Sequence, residues 1–267
     1  MKTTILSLLT AASLSLASGN LLAAESQRAS TGQQVILLKL DDVVAAKSGD
    51  APVSARWQRI ANFIETNQLK GAFGIIGSSL ETDNPAYFKW IKDLDQKGII
   101  EFWNHGYTNR NPKDKSGEFE LGSAAEQKVI LERTQRLAKE KLGLTLRVFG
   151  QHYSGVTEET EKALNEIPDN QIWLYGPKNS HFYKKHAFVR IMGLENPTFV
   201  PDFEKFKATY ERVGASQPML VLQGHPDQWN DERWAGFVKI IEFLQSKGCV
   251  FMKPSEYLAS RSKAGGQ

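Results

Sequence analysis

The chain has 267 residues, of which 41% are hydrophobic and 24% charged. That is enough for one large α/β domain with its own core, and it excludes a chain disordered throughout. The net charge is only +3, with Lys and Arg interspersed among Asp and Glu, which argues against a nucleic-acid binder. Cys249 is the only cysteine, so no intramolecular disulfide can form. Its place in the run Cys249-Val250-Phe251-Met252 predicts a buried thiol.

The first two dozen residues differ from the rest. Met1-Lys2 carries a positive charge, an apolar and small-residue stretch runs from Ile5 to Leu22, and Ala23-Ala24 follows. This is the pattern of a secretory signal peptide over residues 1–24, leaving a single domain at 25–267. Thr, Ser, Gly and Asn dilute the stretch below the roughly 20 apolar residues that a span needs. The expectation is an exported protein, periplasmic or secreted, with no stable membrane span.

Apolar runs and amphipathic stretches then alternate. Val35 to Leu40 reads as a buried strand, and Arg56 to Thr66 as a helix with Trp57, Ile60, Ala61 and Ile64 on one face. Gly71 to Ile76 is a strand, Pro85 to Gln96 a helix closed by Gly98, and Ile99 to Trp103 a strand. The stretch from Thr108 to Gly122 reads as a surface loop. A long helix from Ser123 to Leu142 ends at Gly143. Strand Leu146 to Gly150, helix Glu158 to Asn165, strand Ile172 to Tyr175 and strand Phe188 to Ile191 follow. Pro218 to Gln223 is a late strand, Asp231 to Ser246 a helix and Cys249 to Met252 a last strand, with Ser260 to Gln267 a polar tail. This alternation implies parallel βαβ units in a barrel or a doubly wound sheet, with ligands gathered at the strand C-termini.

Unusual polar groups follow directly on these strands: Asp41-Asp42, Asn104-His105, Gln151-His152-Tyr153 and Gly224-His225-Pro226. A parallel sheet brings them to one rim. Carboxylate oxygens and imidazole nitrogens together suit a divalent ion, zinc first. Each motif alone has a plainer reading: the aspartates as helix caps, His105 and His225 as turn residues. His181 and His186 lie in a polar stretch and are expected to face solvent.

The order and spacing of these segments resemble the polysaccharide deacetylase family, the NodB-homology or carbohydrate esterase family 4 group. Leu40-Asp41-Asp42-Val43 is similar to its first motif, Asn104-His105-Gly106-Tyr107-Thr108-Asn109 to its second and Leu222-Gln223-Gly224-His225-Pro226 to its fifth. The resemblance implies a distorted (β/α) barrel of about seven parallel strands. It makes Asp41 the general base, Asp42 and His105 metal ligands, and His225 the general acid. Three departures stand out. Val43 replaces a glycine, Asn109 stands where a second histidine is usual, and Phe149-Gly150-Gln151-His152-Tyr153 keeps only the strand-then-loop character of the third motif. The third ligand therefore lies between Asn109 and His152. The fourth motif's place is Trp173-Leu174-Tyr175-Gly176.

The activity implied is hydrolysis of N-acetyl groups on an amino-sugar polymer or oligosaccharide. Alternatives are a weak or inactive carbohydrate-binding relative and a hydrolase of another amide or ester. Tyr107, Tyr153 and Trp229 are expected to line a sugar cleft, and the loop from Gln151 to Ser154 to bind an oxyanion. Trp103 and Trp173, inside strand runs, are expected in the core. Adjacent aspartates on a strand point to opposite sides, so joint action of Asp41 and Asp42 requires a bend.

Overall fold

The computed structural model describes residues 32–264 apart from 48, 111–114 and 154. The expected signal peptide and Ser154 lie outside the described residues. Strand β1 (Val35–Val43) leads through α1 (Ala55–Thr66), β2 (Gly71–Ile75), α2 (Pro85–Gln96), β3 (Ile100–Asn104) and α3 (Ala124–Leu137) to β4 (Val148–Phe149). Then come α4 (Glu158–Glu166), β5 (Ile172–Leu174), β6 (His186–Phe188), α5 (Phe203–Thr209), β7 (Met219–Gly224), α6 (Asp231–Ser246), β8 (Val250–Phe251) and α7 (Pro254–Ala264). Seven strands run in the order β6-β5-β4-β3-β2-β1-β7, with β8 paired to the start of β1 and every pairing parallel. The sheet curls into a half-barrel flanked by helices, the distorted barrel expected from the sequence.

Local chemistry explains where the helices start. The side chains of Ser54, Asn84, Ser123 and Asn230 each accept a backbone N–H from the first turn of α1, α2, α3 and α6, caps that contribute about 1 kcal/mol each. Helix α3 runs on through a wider turn, Ala138–Leu142, and stops at Gly143, whose φ of 74° is left-handed and free of strain only for glycine.

The period-two alternation of β1 divides the core. Ile36, Leu38 and Leu40 face the helices together with Phe73, Ile75 and Phe237. Val35 and Leu37 join Ala72, Trp103, Val148, Ile172, Leu174 and Val221 in a second cluster, which fills the concave side. Lys39 and Asp41 continue the Val35–Leu37 row, so two ionisable groups sit on the face that is apolar further down. Trp103 and Trp173 are fully buried, as expected. Cys249 is buried too, and burial pushes its thiol up.

Three readings of the sequence are corrected. Strand β6 pairs Ile172 with His186 and Leu174 with Phe188, two residues earlier than the apolar run suggests. Its partner β5 is only three residues long, so hydrophobicity alone could not set the register of this edge strand. His186, though exposed as expected, therefore lies in a strand, and Arg190 lies beyond it. Helix α5 occupies a stretch to which no element was assigned, burying little besides Phe206. Helix α7 extends to Ala264 where a polar tail was expected; Glu101 receives the N–H and hydroxyl of Ser255 at its start. The described residues from Thr108 to Gly122 form a loop, as expected, and it is anchored by Phe119, buried edge-on against Phe149.

No helix among the described residues is long and apolar enough to cross a membrane.

Candidate active site

At the C-terminal rim a cleft of about 440 Å³ is lined by Asp41, Asp42, His105, Asn109, His152 and Tyr153 on one side. Arg190, Thr198, Phe199, Gln223, His225 and Gln228 complete its wall. The bend that the aspartate pair needs is present. The pairing of β1 with β2 shifts register between Leu40 and Val43, and Asp42 has a φ of 75°. The bulge re-aims its carboxylate into the same cleft as that of Asp41. Left-handed backbone at non-glycine residues recurs around the site, at Tyr153, Tyr175 and Phe199, and such conformations persist only where the surroundings hold them.

One half of the site gathers metal donors. His105 Nε2 lies 3.4 Å from Asp42 Oδ1, and His152 Nδ1 lies 3.6 Å from the same oxygen. Ligand bonds of about 2.0–2.2 Å in a tetrahedron place donor atoms roughly 3.3–3.6 Å apart. Both distances to Asp42 match the spacing that an ion needs, and among the described residues the three side chains form a set positioned to hold one. The chemistry also fits. The Nδ1–H of His105 donates to the Gly150 carbonyl at 2.6 Å, which leaves the Nε2 lone pair facing Asp42, the arrangement usual for a ligating imidazole. Burial, helped by neighbouring His105, holds His152 well below its usual range, so it is neutral and able to donate. Its ring lies 3.7 Å from that of His105, and its buried Nε2 has no partner among the described residues. The Asp42 carboxyl stays below its ordinary range: burial opposes its charge, but the adjacent His105 outweighs burial. Asn109 is exposed on the cleft wall.

The other half gathers buried ionisable groups. Asp41 is buried, with its carboxylate held by Lys39 Nζ at 2.6 and 2.7 Å and by Gln223 Nε2 at 2.6 Å. Burial works against its charge, yet Lys39, His105 and His225 keep the carboxyl below its ordinary range. Lys39 sits 4.7 Å over the Trp103 ring, and a Cβ on Gly150 would come within 3.0 Å of its stem, so glycine there makes room for the ammonium. Replacing Lys39 by Met keeps the stem and deletes the charge. Because unpairing a buried ion typically costs about 3–5 kcal/mol, Lys39→Met is expected to lower stability by that order in urea unfolding at neutral pH, with a smaller loss near pH 3, where Asp41 is protonated in the unfolded chain.

His225 Nε2 lies 3.9 Å from Asp41 Oδ2. Its other nitrogen, Nδ1, meets Glu195 Oε2 at 2.7 Å, and its backbone N–H donates to Glu195 Oε1 at 2.8 Å. Glu195 also receives Trp229 Nε1 at 2.7 Å and the Phe199 N–H at 2.9 Å. Burial alone would lower the imidazole, but the Glu195 hydrogen bond and the Asp41 charge raise it above its usual range. A carboxylate and an imidazole biased toward its protonated form therefore face each other across the cleft.

The sequence-expected residues separate accordingly. Asp41, Asp42, His105, Asn109, His152, Tyr153 and His225 line one cleft. Trp229 does not: it is buried, stacks on Phe237 and supports Glu195. Tyr107 also stands off the cleft, its ring under Arg133 and its hydroxyl donating to Glu81. Both looked like sugar platforms because position after a strand does not tell which way an aromatic turns. In the expected fourth-motif segment, Tyr175 instead closes the seam of the half-barrel, its hydroxyl donating to the Val221 carbonyl and accepting the Gln223 N–H. Sequence reasoning missed Lys39, Glu195 and Phe199. Only Lys39 left a signal, as a charge inside an apolar strand two residues before Asp41.

No protein-family model matches the sequence, and no curated protein matches it. Solved structures do match. The carbohydrate esterase family 4 domain of a multidomain xylanase, from the hindgut metagenome of Trinervitermes trinervoides, superposes with a TM-score of 0.59 at 16% identity, covering 88% of this chain and 92% of that one. The fold is that of carbohydrate esterase family 4. A family 4 acetyl xylan esterase from Clostridium thermocellum, in complex with a cobalt ion, matches with a TM-score of 0.56 at 15% identity over 84% of this chain and 89% of that one. A family 4 pseudoenzyme from Bacillus anthracis matches with a TM-score of 0.55 at 16% identity, over 84% and 64% of the two chains. At these identities, what is shared with family 4 is the fold, and the chemistry must be read from this chain's own residues.

Proposed function

We propose that the chain is a divergent family 4 deacetylase: an exported, metal-dependent hydrolase that removes N-acetyl groups from an amino-sugar polymer or oligosaccharide. The observation that carries this is the juxtaposition of the Asp42–His105–His152 donor set with the ionised Asp41 and the raised His225. Zinc is the first choice of ion for one carboxylate and two imidazoles. Asp42, His105 and His152 would hold it, and Asn109, a neutral and weaker donor, stays on the wall. Bound there, a divalent ion supplies Lewis acidity toward water and the acetyl carbonyl.

The chain's own residues do the rest. Asp41 accepts a proton from the attacking water, its carboxylate aimed by Lys39 and Gln223. His225 gives a proton from Nε2 to the departing nitrogen, while Glu195 holds the Nδ1–H and favours the charged ring. Tyr153 and Phe199, both partly exposed at the opening, offer aromatic faces to a sugar ring. The substrates named for the solved structures, xylan among them, make carbohydrate the class to test first.

The experiment is acetate release from N-acetylglucosamine oligomers, peptidoglycan and acetyl-xylan by the zinc-loaded protein, beside Asp41→Asn. Release from the N-acetylated substrates, abolished by Asp41→Asn, is expected. Release from acetyl-xylan alone would make it an esterase, and release from none would leave a carbohydrate binder.

A further inference from the structure

We propose that Arg190 reads a carboxylate on the substrate, so that the favoured glycan is acidic. The inference deepens the deacetylase reading and rests on it for the nature of the ligand. Arg190 follows β6 and lines the main cleft. With Thr198 it also lines an adjoining cavity of about 320 Å³. The guanidinium lies 5.3 Å from the Tyr175 ring centre and makes no ion pair or hydrogen bond among the described residues.

Every other charge among the described residues that line these two spaces is engaged. Asp41 is held by Lys39, and Asp42 faces the two histidines. Glu195 takes its four N–H groups, and Lys205 pairs with Asp202 at 3.1 Å. The backbone keeps space for the guanidinium, since a Cβ on Gly193 would stand 2.7 Å from Arg190 Nη2. A planar fork of free donors beside a cleft whose own carboxylates are committed is matched by a carboxylate brought in by the ligand. The two cavities join at Arg190. A sugar whose acetyl group lies by Asp41 and His225 would therefore place a neighbouring unit's acidic group at the fork.

A uronate ring and a lactyl ether on the amino sugar both carry such a group beside an N-acetylated unit. Three probes separate the possibilities: the neutral tetramer of N-acetylglucosamine, a tetrasaccharide alternating N-acetylglucosamine with glucuronate, and one alternating N-acetylglucosamine with N-acetylmuramate. Binding by calorimetry and acetate release are both measured on the zinc-loaded protein at low salt, for wild type and Arg190→Gln. One acidic probe is expected to bind about tenfold or more tightly than the neutral one, and Arg190→Gln should bring it to the neutral level. Which acidic probe responds names the source. Equal binding of all three by the wild type, or equal weakening of all three in Arg190→Gln, overturns the proposal. An acidic preference without acetate release would remove the deacetylase reading and leave the carboxylate reader standing.

Discussion

His152→Ala is expected to weaken zinc binding by about 100-fold or more, a larger loss than the 10–100-fold typical of removing a group behind the ligands. The reason is donor count. With His152 gone, Asp42 and His105 remain, and the nearby alternative is the exposed amide of Asn109, which offers a neutral oxygen in place of an imidazole nitrogen. Competition with a chromophoric chelator reads the affinity, and circular dichroism reads whether the fold survives. The companion change Asn109→Ala is expected to leave zinc affinity within about threefold of wild type, since an exposed wall residue off the donor set contributes little. Reversed outcomes, with Asn109→Ala the damaging change, would place the third ligand in the second motif and leave His152 as buried polar lining.

Glu195→Gln should cost roughly 100- to 1,000-fold in kcat/KM for acetate release, within the range for disabling a general acid. The carboxylate has four N–H donors around two oxygens. A glutamine of the same shape must turn an NH2 toward some of them and removes the negative charge that favours protonated His225. The sign of the pH effect follows. His225 is raised above its usual 6.5 in the folded protein, so its acid form is present at lower pH and is lost as pH rises through that raised value, which sets the alkaline limb. Without Glu195 the limb moves to lower pH, so the variant recovers part of its activity under acid conditions. The acid limb, set by protonation of Asp41, should not move. A uniform loss at every pH would instead indicate that Glu195 only holds the loop together.

The strand and helix pattern of this chain was largely legible because β1 to β3 and α1, α2 and α6 are bounded by strong local signals: long apolar runs, side-chain caps and left-handed glycines. Strand β6 and helices α5 and α7 were not, because β6 takes its register from a three-residue partner and α5 and α7 bury few side chains. The site divides in the same way. Asp41, Asp42, His105, His152 and His225 each follow a buried strand, and parallel topology brings such positions to one rim whatever their distance in sequence. Lys39 was visible but read as part of the strand, although period-two spacing puts it on the face of Asp41. Glu195 and Phe199 lie in a long loop whose course is set by tertiary contacts to His225 and Trp229, and no local pattern marks them. The reach of Trp229 and Tyr107 was misjudged for the same reason: their direction is decided by Phe237 and Glu195 in one case, and by Arg133 and Glu81 in the other.

The central claim, a metal centre built from Asp42, His105 and His152, is tested most directly by a crystal structure of the zinc-loaded protein with anomalous data collected at the zinc edge. The expected result is a single strong peak about 2.0–2.2 Å from Asp42 Oδ1, His105 Nε2 and a nitrogen of His152, with Asn109 out of bonding range. A peak bonded to Asn109 instead of His152, or no peak in the cleft at saturating zinc, would contradict it.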